Sequence, residues 1–228
     1  ARHIGRVVIC PSKDAGNSSL RKDGAYLVTG GMSGVGLAVA EWLARRGVAQ
    51  VIVMGRRSAT AEAMEIFNSM RDAGVVVSVC QGAVTNDIDV QSALDNAKNF
   101  PLRGVFHCAA VLDDGVLLQQ DWSRFQRVLS PKLDGAYNLH RLTKNSPLDH
   151  FVLFSSMASV FGSPGQTNYA AANAFLDAMA QYRCSHGMPA FSINWGPWSE
   201  TGAAVRHDVV ERGSKIGIGG ISTEDGLH

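Results

Sequence analysis

A chain of 228 residues is long enough to bury one large core, or one core plus a fragment of another. Its 46% hydrophobic and 18% charged residues are ordinary globular composition, and its 24 glycines fall in tight-turn contexts, which excludes a disordered linker. A net charge of +1 gives no basic field for nucleic acid, and no apolar run approaches the ~20 residues of a bilayer span, so a soluble cytoplasmic protein without a signal segment is expected.

The first residues, Ala1–Pro11, hold a short strand-like run, and Ser12–Asp23 is polar and linker-like. Six continuous apolar segments follow: Ala25–Thr29, Gln50–Met54, Val75–Cys80, Gly104–Cys108, His150–Phe154 and Ala190–Trp195. They are β-branched and do not alternate, which predicts strands buried on both faces, as in a parallel sheet. Between them, Gly36–Arg46, Ala61–Ala73, Lys132–Lys144 and Ala170–His186 carry helical periodicity. In the last of these, Ala174, Ala178 and Tyr182 form one row and Phe175 and Met179 another, both expected to pack in the core. Strand–helix alternation of this kind predicts right-handed crossovers and an α/β doubly wound parallel sheet. After Trp198 the pattern dissolves into Gly-rich polar sequence, and the further strand that would close such a fold is not found, so the chain reads as truncated at its C-terminus. The cysteines Cys10, Cys80, Cys108 and Cys184 form no CxxC pair and no metal-ligand spacing, and are expected to be reduced and structural, with no metal.

The run Tyr26–Gly36 (YLVTGGMSGVG) passes from a strand into a helix, the context in which a glycine triplet marks a dinucleotide site. Gly30 can take a positive φ, Gly34 lets backbone approach a pyrophosphate, and Gly36 permits close helix–strand packing. The alternative is a purely structural glycine-rich turn. An NAD site places an acid after the second strand to hold the ribose 2′-hydroxyl, but Gln50–Arg57 holds none. It offers Arg56 and Arg57, cations suited to a phosphate, and so points to NADP over NAD unless the pair is merely a solvated edge.

Ser156 follows the fifth apolar segment, Tyr169 lies thirteen residues later at the mouth of a helix, and Asn173 is four residues beyond it, on the same helix face. With the glycine-rich turn, this set resembles the short-chain dehydrogenase/reductase family and its Rossmann-type fold. Most members carry Lys at the fourth residue after the Tyr, whereas here Asn173 stands there and the candidate lysine is Lys132, in Pro131–Gly135 (PKLDG). That exchange, with Gly104–Gly115 (GVFHCAAVLDDG) and Ile193–Trp198 (INWGPW), resembles the ketoreductase domains of polyketide and fatty acid synthases.

The resemblance implies NADPH-dependent reduction of a β-ketoacyl thioester to a β-hydroxyacyl thioester. It makes Tyr169 the proton donor, Ser156 the hydrogen-bond donor to the carbonyl oxygen, Lys132 the cation that tunes Tyr169 and binds the nicotinamide ribose, and Asn173 part of a proton relay. Ser155 is the competing serine, set aside because its spacing to the Tyr is one too long. An adjacent ammonium, together with the positive nicotinamide ring of the oxidised cofactor, is expected to lower the Tyr169 pKa from its usual ~10 toward about 7. Cofactor contacts implied by the same likeness are Thr29, Gly30, Gly31, Ser33, Gly34, Val35, Gly36, Arg56, Arg57, Ala83, Val84, Cys108, Ala109, Ala110 and Pro197. Ala83 stands where relatives carry Asp, and Ala110 where they carry Gly. Leu112, Asp113 and Asp114 match the LDD signature of the B-type stereochemical class, unless Asp113-Asp114 is a plain solvated turn. Phe161, not Trp, stands eight residues before Tyr169, and Ala171 sits where epimerising relatives carry Pro, so a D (3R) alcohol without epimerisation is implied.

Residues Ala1–Val8 resemble the closing strand of a synthase enoylreductase, which assigns residues 1–22 to the end of an upstream domain plus linker and residues 23–228 to the ketoreductase. Family membership implies an acyl carrier protein bearing a phosphopantetheine-tethered substrate as partner, with neighbouring synthase domains. The alternative is a catalytically silent, structural ketoreductase-like domain.

Overall fold

The computed structural model describes residues 19–201, 217 and 219–227. The strand-like run at Ala1–Pro11, its likeness to an enoylreductase strand, and Cys10 lie outside the described residues, as does most of the stretch after Thr201. Among the described residues the order is β1 (Ala25–Thr29), α1 (Gly34–Arg45), β2 (Gln50–Gly55), α2 (Ala61–Asp72), β3 (Val76–Gln81), α3 (Asp87–Leu94), β4 (Leu102–His107), α4 (Trp122–Thr143), β5 (His150–Ser156), α5 (Ala158–Phe161), α6 (Thr167–Ser185), β6 (Phe191–Trp195) and α7 (Thr223–Leu227). The strands form one parallel sheet in the order β3-β2-β1-β4-β5-β6, the doubly wound α/β architecture expected of a Rossmann-type reductase.

The two-residue period of the central strands divides the core. Tyr26 and Val28 of β1 and Val51 and Val53 of β2 pack with Val39 and Leu43 of α1 and Phe67 of α2. Ala25, Leu27, Ile52 and Met54 point the other way, with Phe151 and Leu153 of β5, against Leu139 of α4 and Leu176 of α6. The expectation of burial on both faces holds for β1 and β2 but not for the outer strands. β3 and β6 flank the sheet and mix exposed with partly covered residues, only Val77 among them being buried.

Helix α4 begins ten residues earlier than the sequence pattern suggested, because Pro131 reads as a start signal but lies inside the helix. Its true N-cap is Asp121, whose side chain accepts the Arg124 N–H at 2.9 Å. The row Ala174, Ala178 and Tyr182 on α6 faces solvent, correcting its assignment to the core; Met179 is buried and Phe175 packs on the core. The stretch after Trp198 is not patternless either: Trp198 bridges to Ile221, and α7 returns to pack near α1. Cys80, Cys108 and Cys184 are free thiols. No helix among the described residues is long and apolar enough to cross a membrane.

Candidate active site

Strand order reverses between β1 and β4, and the carboxyl ends of the strands open there on a cleft of about 1090 Å³. Its first wall is the turn from β1 into α1. Gly30 and Gly34 have φ of 72° and 57°, values that favour glycine, and a Cβ at Gly36 would run into the Gly30 carbonyl. The chain can therefore turn tightly enough to aim the N-terminus of α1 at the cleft, where Ser33 makes no side-chain cap and the first turn holds no acid. Free N–H groups at a positive dipole end suit a pyrophosphate.

Arg56 and Arg57 line the cleft beyond β2, both side chains exposed, and neither guanidinium has a partner among the described residues. The two guanidiniums, the helix N-terminus and the volume of the cleft fit a phosphorylated dinucleotide. Thr29, Val35, Val84, Cys108, Ala109, Ala110 and Pro197 lie in the same lining, whereas Gly31 and Ala83 do not. Gly31 sits close against Val28 and Val53, and the Ala83 N–H is taken by the Asp89 carboxylate at 2.8 Å.

The opposite wall holds Lys132, Ser156 and Tyr169. Close approach of α4 to β4 is possible because residue 135 is glycine: a Cβ there would stand 2.8 Å from Val84 and 3.2 Å from His107. One turn earlier, Lys132 is only 2% exposed, donates to the Phe154 carbonyl at 2.8 Å, and stands 5.6 Å from the centroid of the Tyr169 ring. Burial pulls its pKa down to about 8, with Cys108 and Asp177 opposing. Ser156 ends β5, on the cleft, and its Oγ accepts the Ala158 N–H at 3.2 Å. Ser155 lines the cleft too, but it is 3% exposed and donates its hydroxyl to the Asn173 carbonyl at 3.2 Å.

In the chain by itself the Tyr169 pKa is raised, so the ammonium alone does not lower it. Burial dominates, and hydrogen bonding to Asn173 and Ser156 only partly opposes it. This direction keeps the phenol protonated at neutral pH. Asn173 stands behind the cleft and not in its lining. Its Nδ2 donates to the Tyr169 carbonyl at 2.8 Å, and its buried Oδ1 has no partner among the described residues. His107 is buried and bonded to Thr29 Oγ1 at 2.7 Å; burial, then the charge of Lys132, depress its pKa to about 3, so it is no rival acid.

Leu112 lines the cleft, but Asp113 and Asp114 are neither in the lining nor a solvated turn. The Asp113 carboxylate is 14% exposed and accepts from Arg124 Nη2 at 2.6 Å and from Arg127. Asp114 accepts from Gln166 Nε2 at 3.1 Å, the Asp113 carbonyl accepts from Asn168 Nδ2 at 2.9 Å, and the Gly115 N–H bonds the Gly165 carbonyl at 2.8 Å. The segment is thus fastened both to α4 and to the turn that delivers Tyr169. Sequence reasoning missed Arg124, Gln166 and Asn168; the only signal for Gln166 and Asn168 was their place just before the tyrosine.

The family described as KR domain matches residues 24–200. The spectinabilin polyketide synthase system protein NorB of Streptomyces orinoci is 41% identical over 237 residues, covering 100% of this chain and 10% of that protein. A phenolphthiocerol/phthiocerol polyketide synthase of Mycobacterium tuberculosis is 39% identical over 203 residues, 88% of this chain and 11% of that protein. Among solved structures, one of A-type ketoreductases from a modular polyketide synthase superposes with TM-score 0.86 at 38% identity, covering 90% of this chain and 44% of the other. The first ketoreductase of the tylosin synthase gives TM-score 0.80 at 36% identity, over 90% of this chain and 45% of the other. The chain spans about a tenth of the length of these curated relatives and under half of these solved chains.

Proposed function

The chain belongs to the KR domain family, the ketoreductases of multidomain polyketide synthases, and on that premise we propose that it reduces a β-ketoacyl thioester to the β-hydroxyacyl thioester with NADPH. The observation that carries this reading is the Lys132 ammonium held against the ring of Tyr169, beside Ser156, in the wall of a cleft that fits a dinucleotide. The nicotinamide, when bound, supplies hydride to the ketone carbon. Ser156 Oγ and the Tyr169 phenol then hold the carbonyl oxygen as it gains charge, and Tyr169 gives it a proton. An alkoxide is a far stronger base than a phenolate, so even a phenol whose pKa is raised transfers its proton downhill. Lys132 stabilises the phenolate left behind, and Asn173 supports the path by which that phenolate is reprotonated.

Arg56 and Arg57 support NADPH over NADH, because a guanidinium pair can clasp the ribose phosphate and no acid stands nearby to hold a free 2′-hydroxyl. The Arg56→Ala/Arg57→Ala double variant is expected to raise KM for NADPH by about 10- to 100-fold, the loss of one or two charge-assisted contacts. Its KM for NADH should stay within about twofold, as steady-state rates with each cofactor will report.

Leu112, Asp113 and Asp114 support the B-type class and a D (3R) alcohol formed without epimerisation. By the same reading the substrate arrives on the phosphopantetheine arm of an acyl carrier protein, in a synthase whose upstream neighbour is an enoylreductase. Chiral separation of the alcohol formed from NADPH and a β-ketoacyl thioester tests activity and class together. Predominantly D product is expected. Predominantly L product overturns the class, and bound NADPH with no alcohol favours the alternative, a silent structural domain.

A further inference from the structure

Asp177 lies one turn beyond Asn173 and two beyond Tyr169 on α6, so the three share a helix face. Tyr169 meets the cleft, whereas Asp177 lies outside its lining. Its carboxylate accepts from Ser159 Oγ of α5 at 2.6 Å, and from Ser192 Oγ and Asn194 Nδ2 of β6 at 2.6 and 2.9 Å. The Asn194 amide reaches on to Ser159 Oγ at 2.8 Å, Ser155 Oγ at 3.3 Å and the Ser156 carbonyl at 3.4 Å. Ser155 in turn donates to the Asn173 carbonyl. One carboxylate therefore gathers both sides of the β5–α5 turn, the last strand of the sheet and the helix that carries the tyrosine. Charge-assisted bonds of this kind are about twice as strong as neutral ones.

We propose that Asp177 is a positioning residue for the reduction, fixing Ser156 relative to Tyr169 by pinning the β5–α5 turn to β6 and α6. The inference rests on the ketoreductase reading above. A second consequence is electrostatic. Lys132 is faced by His107 and Cys108 from the end of β4, by the Phe154 carbonyl from β5, and by Tyr169 and Asp177 from α6. His107 is neutral and burial keeps the Cys108 thiol and the Tyr169 phenol protonated, while the Asp177 carboxylate opposes the burial that pulls the Lys132 pKa down.

The test compares Asp177→Ala, Asp177→Asn and Asn194→Ala in the full chain. Asp177→Ala is expected to lose about 10-fold or more in kcat, with KM for NADPH within about twofold, because the reacting groups are misplaced while the cofactor cradle is untouched. Asp177→Asn keeps an acceptor and should recover part of kcat. In both variants the Lys132 titration, followed by 13C NMR of its side chain in cofactor-free protein, should move about half a unit to lower pH. Asn194→Ala retains the charge and should lower kcat with that titration unmoved, which separates the two effects even if an Asp177 variant folds poorly. Near-wild-type kcat in Asp177→Ala, or an unmoved Lys132 titration in both Asp177 variants, overturns the proposal. A wild-type chain that oxidises no NADPH overturns the ketoreductase reading itself, and this inference with it.

Discussion

Tyr169→Phe is expected to lower kcat for ketone reduction about 10³-fold while NADPH binding stays within about twofold, since general acid catalysis contributes 10²–10⁴-fold and the ring itself is retained. The substitution removes one oxygen. It leaves the aromatic face beneath the Lys132 ammonium and the helix that begins at Thr167. Hydride transfer without the phenol leaves an alkoxide that Ser156 can hold but Tyr169 no longer protonates, so the loss should appear in kcat. Stopped-flow oxidation of NADPH, with binding followed separately by cofactor fluorescence, checks both halves. Turnover near that of the wild type would remove the phenol from the mechanism.

Lys132→Met is expected to abolish most activity and yet to make the cofactor-free protein more stable. An ammonium that is 2% exposed, with one hydrogen bond to the Phe154 carbonyl, has lost most of its hydration, and among the described residues no carboxylate is in ion-pair contact to replace it. Met fills similar volume without that cost, and the gain is expected to be about 1–3 kcal/mol near pH 7, after allowing for the carbonyl left unpaired. The sign follows from the depressed pKa. Below about 8 the folded state holds a charged lysine against the pull of burial. As pH rises from about 8 toward the unfolded value of 10.5, the unfolded state binds more protons and the wild type gains stability, a slope that Lys132→Met should lack. Activity has the opposite dependence: kcat/KM for NADPH should fall as pH rises through about 8, when the cation that stabilises the phenolate is lost. Denaturant melts at two pH values and a rate profile read these separately. The residue is held at a cost to the fold, as expected where function and stability compete.

Much of this was legible in the residues. Continuous apolar runs announced the parallel sheet, and the glycine spacing announced the turn into α1, because in each case local chemistry admits few alternatives. Where neighbours in space decide, the sequence was less informative. β3 carries nearly as apolar a run as β2, but its place at the side of the sheet leaves Val76 and Val79 at 45% and 36% exposed. Pro131 reads as a helix start, yet the packing of α4 carries the helix through it. The raised pKa of Tyr169 was missed because a sequence shows the nearby lysine but not the burial that outweighs it. Asp113 was read as a residue of the site, while the arginines that turn it toward α4 lie eleven and fourteen positions away and match no motif. Asp177 gave no signal at all, being one acid further along the helix of Tyr169 until Ser159, Ser192 and Asn194 are seen around it.

The most direct test follows the hydrogen itself, using NADPH dideuterated at the nicotinamide C4 and a β-ketoacyl thioester. One deuterium on the β-carbon of the hydroxyacyl product per cofactor oxidised, in the wild type and at a rate about 10³-fold lower in Tyr169→Phe, is the result predicted. Bound NADPH that never passes its label to the β-carbon would contradict the account.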